Sequence, residues 1–132
     1  MRIKDQKYCD VVAFILFKDG KFLTEERLPN RKIDPSKIVI PGGHVDKGES
    51  LVEACKRELK EELDVGCENF EFVCKSLHDA GPEIQMVHYF LCKDWKGRIK
   101  SIEAKRIFWL DNKHLNKLSY KIDIDAIRKI RI

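Results

Sequence analysis

Residues 41–66 read PGGHVDKGESLVEACKRELKEELDVG, and they contain two glycines followed by a well-marked helix start. Ser50 and Glu53 have the spacing of a capping box, in which each side chain satisfies a free backbone N–H near the start of a helix. The apolar residues that follow recur at helical spacing, which gives the helix one face for the core: Leu51, Val52, Cys55, Leu59 and Leu63. The stretch therefore predicts an amphipathic helix directly after Ser50.

This helix carries a narrow stripe of carboxylates. At about 100° per residue, with Arg57 at zero, Glu61 falls near 40°, Glu58 near 100° and Glu62 near 140°, beside the apolar arc. Like charges at these spacings repel, so the stripe does not stabilise the helix unless a cation lies on it. Arg57 can offset one charge, and Mg²⁺ or Mn²⁺ can offset the others because both ions prefer oxygen ligands. The alternative is an ordinary solvated surface, which is common for acid-rich helices.

The residues just before the helix extend this pattern. Glu49 can add a fourth carboxylate. Gly42 and Gly43 have no side chains, so their backbone can come close to a metal or a phosphate.

The flanking sequence predicts strands around the helix. Residues 9–17 are β-branched and aromatic, and Asp19-Gly20 predicts a hairpin turn to a returning strand over 21–27. A loop over 28–37 leads to a short strand, 38–40, that stops at Pro41. Further strands are predicted at about 70–77, 84–93 and 106–110. A closing helix is predicted from Ile122, Ile124, Ile127 and Ile130, although the first two also fit a strand. The fold class is α/β (α+β), a sandwich with a mixed, largely antiparallel sheet.

Length and composition restrict the class of protein. The chain has 132 residues, of which 43% are hydrophobic, so it can bury a core and we expect one domain over 1–132. The longest apolar run, residues 11–17, is far shorter than the ~18 residues of a membrane-spanning helix. Five cysteines without a C-x-x-C pair indicate reduced thiols rather than a disulfide framework. We therefore expect a cytoplasmic protein with no membrane partner.

Charge is unevenly distributed along the chain. Residues 1–92 carry 14 basic and 17 acidic side chains, whereas residues 93–132 carry 12 basic and 5 acidic ones. A basic C-terminal third beside an acidic body suits an anionic ligand such as a phosphate ester, although a solvated lysine-rich surface has the same composition. Nucleic-acid binding ranks low because no nucleic-acid motif accompanies the charge.

The joint pattern resembles the Nudix box. Gly43, five residues, Glu49, seven residues and then Arg57-Glu58-Leu59-x-Glu61-Glu62 match it, and Val65 closes a 23-residue motif. The resemblance implies a Nudix-type α/β/α sandwich. One departure is Asp64, where the family usually has a glycine that ends the helix with positive φ. We expect Gly66 to take over that turn.

The resemblance also implies a metal site and a reaction. It places Glu58, Glu61, Glu62 and the Gly42 carbonyl on Mg²⁺, with Mn²⁺ as a substitute, and pairs Arg57 with a box glutamate such as Glu49. The implied reaction is hydrolysis of a nucleoside diphosphate linked to another group. Glu58 is our choice as general base, with Glu103 or a metal-bound hydroxide as alternatives.

Signals for substrate binding lie outside the helix. Arg27, at the end of a predicted strand, is a candidate phosphate ligand or a plain strand-end charge. Gly43 and His44, in the glycine loop, are candidates for substrate contact. His88 alternates with core positions and is predicted to be a hydrogen-bonded core histidine.

Three functions are consistent with this pattern. We favour a MutT-like enzyme that hydrolyses a nucleoside triphosphate, such as 8-oxo-dGTP, to a monophosphate and pyrophosphate. Hydrolysis of ADP-ribose or another nucleotide sugar is the second, and a non-catalytic nucleotide-binding domain is the third. The sequence does not indicate an oligomeric state.

Overall fold

The computed structural model describes residues 7–130. Residues 1–6 and 131–132, which the one-domain prediction includes, lie outside the described part. The strands are β1 (Cys9–Lys18), β2 (Lys21–Glu26), β3 (Ile38–Val39), β4 (Gly42–His44), β5 (Asn69–Asp79), β6 (Ile84–Lys93) and β7 (Arg106–Asp111). The helices are α1 (Leu51–Leu63), a 3₁₀ helix (Asn112–Lys117) and α2 (Lys121–Arg128). None of the helices in residues 7–130 is long and apolar enough to span a membrane.

The strands form one mixed sheet, as predicted. Its order is β3-β2-β1-β6-β5, with β4 added to β1 and β7 added to β2. Strands β1 and β6 run parallel, and the other pairings described for residues 7–130 are antiparallel. The hairpin between β1 and β2 turns at Asp19 and Gly20, both with positive φ (52° and 76°), as the sequence predicted.

Strand β1 carries the core on both of its faces. Phe14 and Leu16 pack in one cluster with α1, and Ala13 and Ile15 pack in another with α2. Successive side chains of a strand point to opposite faces, so one apolar strand serves two helices. This confirms the predicted α/β/α sandwich.

A gap between β1 and β2 creates room for a site. The two strands pair only at their hairpin end, at Phe17↔Phe22 and Lys18↔Lys21. Nearer its start, β1 pairs with β4 instead, and the Phe14 N–H donates to the Pro41 carbonyl (2.9 Å). The inserted segment keeps the end of β2 away from β1.

The short strand predicted over 38–40 is β3, which ends before Pro41 as predicted. The sequence did not predict that the chain returns to the sheet at Gly42 as β4. Gly42 fits there because it has no Cβ. An added Cβ would overlap the Val12 carbonyl oxygen and lie 2.9 Å from the Ala13 Cα, both backbone atoms of β1.

The start of α1 confirms the capping box. The Glu53 N–H donates to Ser50 Oγ (3.1 Å), and the Ser50 N–H donates to Glu53 Oε1 (3.0 Å). Cys55, Leu59 and Leu63 are buried as predicted. Val52 is 38% exposed, so its assignment to the buried face is wrong.

The end of α1 differs from the prediction. Asp64 itself adopts the left-handed conformation (φ 58°, ψ 36°), whereas Gly66 has no positive φ and instead bridges to Lys96. A short polar side chain tolerates this conformation better than most residues do. The Asp64 carboxylate also lies 2.8 Å from Lys60 Nζ and 3.4 Å from Lys100 Nζ.

Substitution of Asp64 separates backbone strain from charge pairing. We expect Asp64→Ala to lower the free energy of unfolding by about 1 kcal/mol, because alanine pays the full left-handed penalty. Asp64→Gly should match or exceed the parent, although it loses the same lysine contacts. Urea unfolding of the parent and the two variants measures their order of stability. Equal losses in both variants would show that the ion pairs, not the backbone, matter.

Candidate active site

A cleft of about 480 Å³ opens where β2 diverges from β1. It is lined by most of the residues predicted for the site: Arg27, Gly42, Gly43, His44, Glu58, Glu61, Glu62 and Glu103. Arg57 and Glu49 are not among the lining residues; they lie behind the carboxylates. Residues separated by up to 76 positions in the chain thus meet in one cleft.

Arg57 is the structural anchor of the carboxylates. Its Nε and Nη2 donate to the two oxygens of Glu49 (2.7 and 2.9 Å), and its Nη1 donates to Glu58 Oε1 (2.8 Å) and Glu61 Oε2 (3.2 Å). Its Nη2 also donates to the His44 carbonyl (2.9 Å), which connects α1 to β4. The hydrogen bonds from Arg57 lower the pKa of Glu49 to about 2. A planar guanidinium with five donors can hold several carboxylates at fixed angles.

Two glutamates of α1 are held against the core rather than in solvent. Glu62 is only 5% exposed, and its Oε2 has no hydrogen-bond partner among the described residues. Burial, with the nearby charges of Glu25 and Glu58, raises the pKa of Glu62 well above its usual value. Burial also raises the pKa of Glu58, although Arg57 opposes the shift. The site therefore brings together two carboxyl groups, those of Glu58 and Glu62, that are largely shielded from solvent.

Glu25 belongs to this group and was missed by the sequence analysis. It lies on β2, is 4% exposed, and its Oε1 lacks a hydrogen-bond partner in residues 7–130. Burial raises its pKa to about 7, and Arg27 Nη1 lies 3.8 Å from its Oε1. The sequence held a signal for Glu25. Residues two apart on a strand share a face, so in the strand predicted over 21–27 a site that includes Arg27 would also include Glu25.

These carboxylates are suited to a hard divalent cation. Buried oxygens without donors are unfavourable unless they are protonated or meet a cation. Gly43 leaves the space for Glu58, since a Cβ there would overlap the Glu58 carboxylate. The donors are all oxygen atoms, which favours Mg²⁺ or Mn²⁺ over softer metals.

Basic side chains also line the cleft. Arg27, Arg31 and Lys32 line it, and the Arg27 Nε donates to the Ile33 carbonyl (2.9 Å). Arg27 is thus held in place by the loop after β2. Its side chain is only 15% exposed, so its charge is directed at the cleft rather than dispersed in solvent.

The cleft lining also includes aromatic and polar groups that the sequence did not indicate. The His78 and Tyr120 rings lie 4.4 Å apart, and the Tyr120 hydroxyl donates to Asp34 Oδ1 (2.7 Å). Asp123 accepts from the Tyr89 hydroxyl and from the Ile40 N–H (3.1 Å). Burial raises the pKa of Asp123 to about 6.

Outside the cleft, His88 confirms its predicted role. It is 9% exposed, and its Nε2 lies 2.9 Å from Asp10 Oδ1. The structure pairs none of the five cysteines in a disulfide, and Cys55, Cys67 and Cys92 are buried.

The raised pKa of Asp123 makes stability depend on pH. The pKa of Asp123 is 3.8 in the unfolded chain and about 6 in the folded one, so between these pH values the folded state binds more protons. The stability that protonated Asp123 contributes is therefore lost as the pH rises through about 6. Asp123→Asn has no such proton, so its stability relative to the parent should rise by about 2 kcal/mol from pH 4 to pH 7. Urea unfolding at both pH values measures the difference. A difference that does not change with pH would contradict the prediction.

Comparison with known proteins extends the likeness from the motif to the whole chain. The family model described as NUDIX domain matches residues 7–129. An 8-oxo-dGTP diphosphatase of Buchnera aphidicola is 36% identical over 98 residues, 70% of this chain and 78% of its own. The CTP pyrophosphohydrolase of Escherichia coli is 30% identical over 103 residues, 78% of this chain and 76% of its own.

Among solved structures, the MutT NUDIX hydrolase from Burkholderia pseudomallei has the same fold, with a TM-score of 0.84 at 21% identity. The match covers 96% of this chain and 100% of that one. Because the box residues, the sandwich and the whole-chain match agree, the chain belongs to the NUDIX family of hydrolases.

Proposed function

We propose that this chain is a divalent metal-dependent hydrolase that converts a nucleoside triphosphate into a nucleoside monophosphate and pyrophosphate. The observation that carries the proposal is the cleft itself, which brings together buried carboxylates with unpartnered oxygens and the basic side chains of Arg27, Arg31 and Lys32. Relatives named 8-oxo-dGTP diphosphatase and CTP pyrophosphohydrolase support a triphosphate substrate.

The carboxylates of α1 would hold the metal. We assign Glu58, Glu61, Glu62 and the Gly42 carbonyl to it, and add Glu25 because of its buried, unpartnered oxygen. Mg²⁺ is the proposed ion and Mn²⁺ its substitute. When bound, the ion neutralises phosphate charge and lowers the pKa of water.

The other residues bind, orient and move protons. Arg27, with Arg31 and Lys32, would bind the phosphate chain. Arg57 and Glu49 act as positioning residues outside the cleft lining, because Arg57 holds Glu58 and Glu49 holds Arg57. Glu58 is the proposed general base: Arg57 binds its Oε1, and its other oxygen accepts the proton of the attacking water. The water oxygen bonds to phosphorus as the bond to pyrophosphate breaks.

The nucleoside would lie against the aromatic and polar groups of the cleft lining. His78 and Tyr120 offer ring surfaces, and Asp34 and Asp123 offer hydrogen-bonding oxygens. His44 and Gly43 line the same cleft and would contact the substrate there. We propose oxidised purine triphosphates such as 8-oxo-dGTP as the preferred class, on the basis of the named relatives.

Glu62 and Glu25 provide a direct test of the metal site. Glu62→Gln should lower turnover by orders of magnitude and weaken Mn²⁺ binding, because a charged oxygen ligand is lost. Glu25→Gln should weaken Mn²⁺ binding at least about tenfold. Electron paramagnetic resonance of free Mn²⁺ measures binding independently of activity, and thermal unfolding checks the fold.

Glu71→Gln is the matched control. Glu71 is a glutamate of β5 whose carboxylate pairs with Lys93 at 2.6 Å and does not line the cleft. It should bind Mn²⁺ and turn over like the parent. Parent-like Mn²⁺ affinity in Glu62→Gln or Glu25→Gln would remove that residue from the proposed metal site.

The substrate class is tested by product analysis with Mg²⁺ on canonical and oxidised (deoxy)nucleoside triphosphates, ADP-ribose and nucleotide sugars. Pyrophosphate and a monophosphate from a triphosphate support the proposal. Cleavage of ADP-ribose or nucleotide sugars alone would replace it with the second function. Thermal stabilisation by nucleotides without turnover, in Mg²⁺ and in Mn²⁺, would indicate a binding domain instead.

A further inference from the structure

A second group of metal-ligating side chains lies at the rim of the cleft. Cys9 begins β1, His44 ends β4, and Glu83 immediately precedes β6. One ligand atom from each of the three residues lies within 4.8 Å of the other two. The three residues come from distant parts of the chain and share no sequence motif.

The sheet itself brings these residues together. Strand β1 pairs with β6 at Cys9↔Gln85 and with β4 at Val11↔His44. The Val45 N–H also donates to the Asp10 carbonyl (3.0 Å), which continues the β4 contact to the start of β1. The backbone positions are therefore set by the sheet rather than by the side chains.

The side chains converge on one oxygen atom. Glu83 Oε2 lies 2.6 Å from His44 Nε2 and accepts from Cys9 Sγ at 3.1 Å. Gln85 Nε2 donates to the same oxygen (2.7 Å), which orients the carboxylate. A ligating carboxylate in a metal site is usually held by such an additional donor.

The chemistry of this trio differs from that of the acidic cluster on α1. A thiol, an imidazole and a carboxylate supply sulfur, nitrogen and oxygen, the set that binds Zn²⁺ and similar borderline metals. Mg²⁺ prefers oxygen ligands alone. The His44 and Glu83 side chains are 50% and 28% exposed, so an ion can reach them from solvent.

We propose that Cys9, His44 and Glu83 form a binding site for a borderline transition metal, with Zn²⁺ as the fitting ion. Three protein ligands leave a fourth tetrahedral position open. His44 joins the site to the cleft, since it lines the cleft and its carbonyl accepts from Arg57. An ion bound here holds the His44 imidazole at the rim.

Co²⁺ titration of the metal-free full chain in excess Mg²⁺ tests the proposal. Mg²⁺ occupies oxygen sites, and a Co²⁺–thiolate bond gives a near-ultraviolet charge-transfer band that oxygen ligands do not produce. We expect this band to saturate at one equivalent and to disappear when Zn²⁺ is added.

Variants assign the signal to the proposed ligands. Cys9→Ser should abolish the band, and Glu83→Gln should weaken Co²⁺ binding at least about tenfold. Both replacements keep hydrogen-bonding groups, and thermal unfolding checks each fold. Cys74→Ser, which removes another half-buried thiol on β5, should leave the band unchanged. A missing band, or one that survives Cys9→Ser, would overturn the proposal and leave a hydrogen-bonded cluster only.

Discussion

The hydrogen-bonding network of Arg57 is the interaction on which the site depends. One guanidinium contacts Glu49, Glu58 and Glu61 and also the His44 carbonyl, so it connects both ends of the box to the glycine strand. Without a cation at this point, the carboxylates of α1 would repel one another and turn toward solvent. Arg57 does not line the cleft, and it binds one oxygen each of Glu58 and Glu61, which do line it.

The second constraint is the break in the sheet. Strand β1 pairs with β2 at only two positions, because the segment that carries β3 and β4 pairs with the rest of the two strands and separates them. This arrangement buries Glu25 and Glu62 at 4% and 5% exposure without donors for one oxygen of each. A core designed for stability alone would avoid such groups, because buried unpartnered carboxylates are costly. Their presence is understandable if a cation completes the site.

Two groups of potential metal ligands with different donor atoms lie close together in this fold. On α1 the site offers oxygen atoms alone, whereas the rim beside it offers sulfur, nitrogen and oxygen from Cys9, His44 and Glu83. His44 is shared, since its side chain faces the rim group and its carbonyl faces Arg57. The two proposed sites therefore differ in donor chemistry: the oxygen atoms on α1 suit a hard divalent cation, and the rim group suits a borderline metal.

Local patterns in the sequence were sufficient to predict the capping box at Ser50, the hairpin at Asp19-Gly20 and the carboxylate stripe, because each depends on residues a few positions apart. Tertiary structure decided the rest. Glu25 lines the site because β2 diverges from β1. Gly42 begins a strand because it pairs with β1. Asp64, rather than Gly66, adopts the left-handed conformation that ends α1. The trio of Cys9, His44 and Glu83 depends on three strands meeting. Features that depend on short-range spacing can be predicted from the sequence. Burial and long-range strand pairing cannot, because they depend on packing between segments that are distant in the chain.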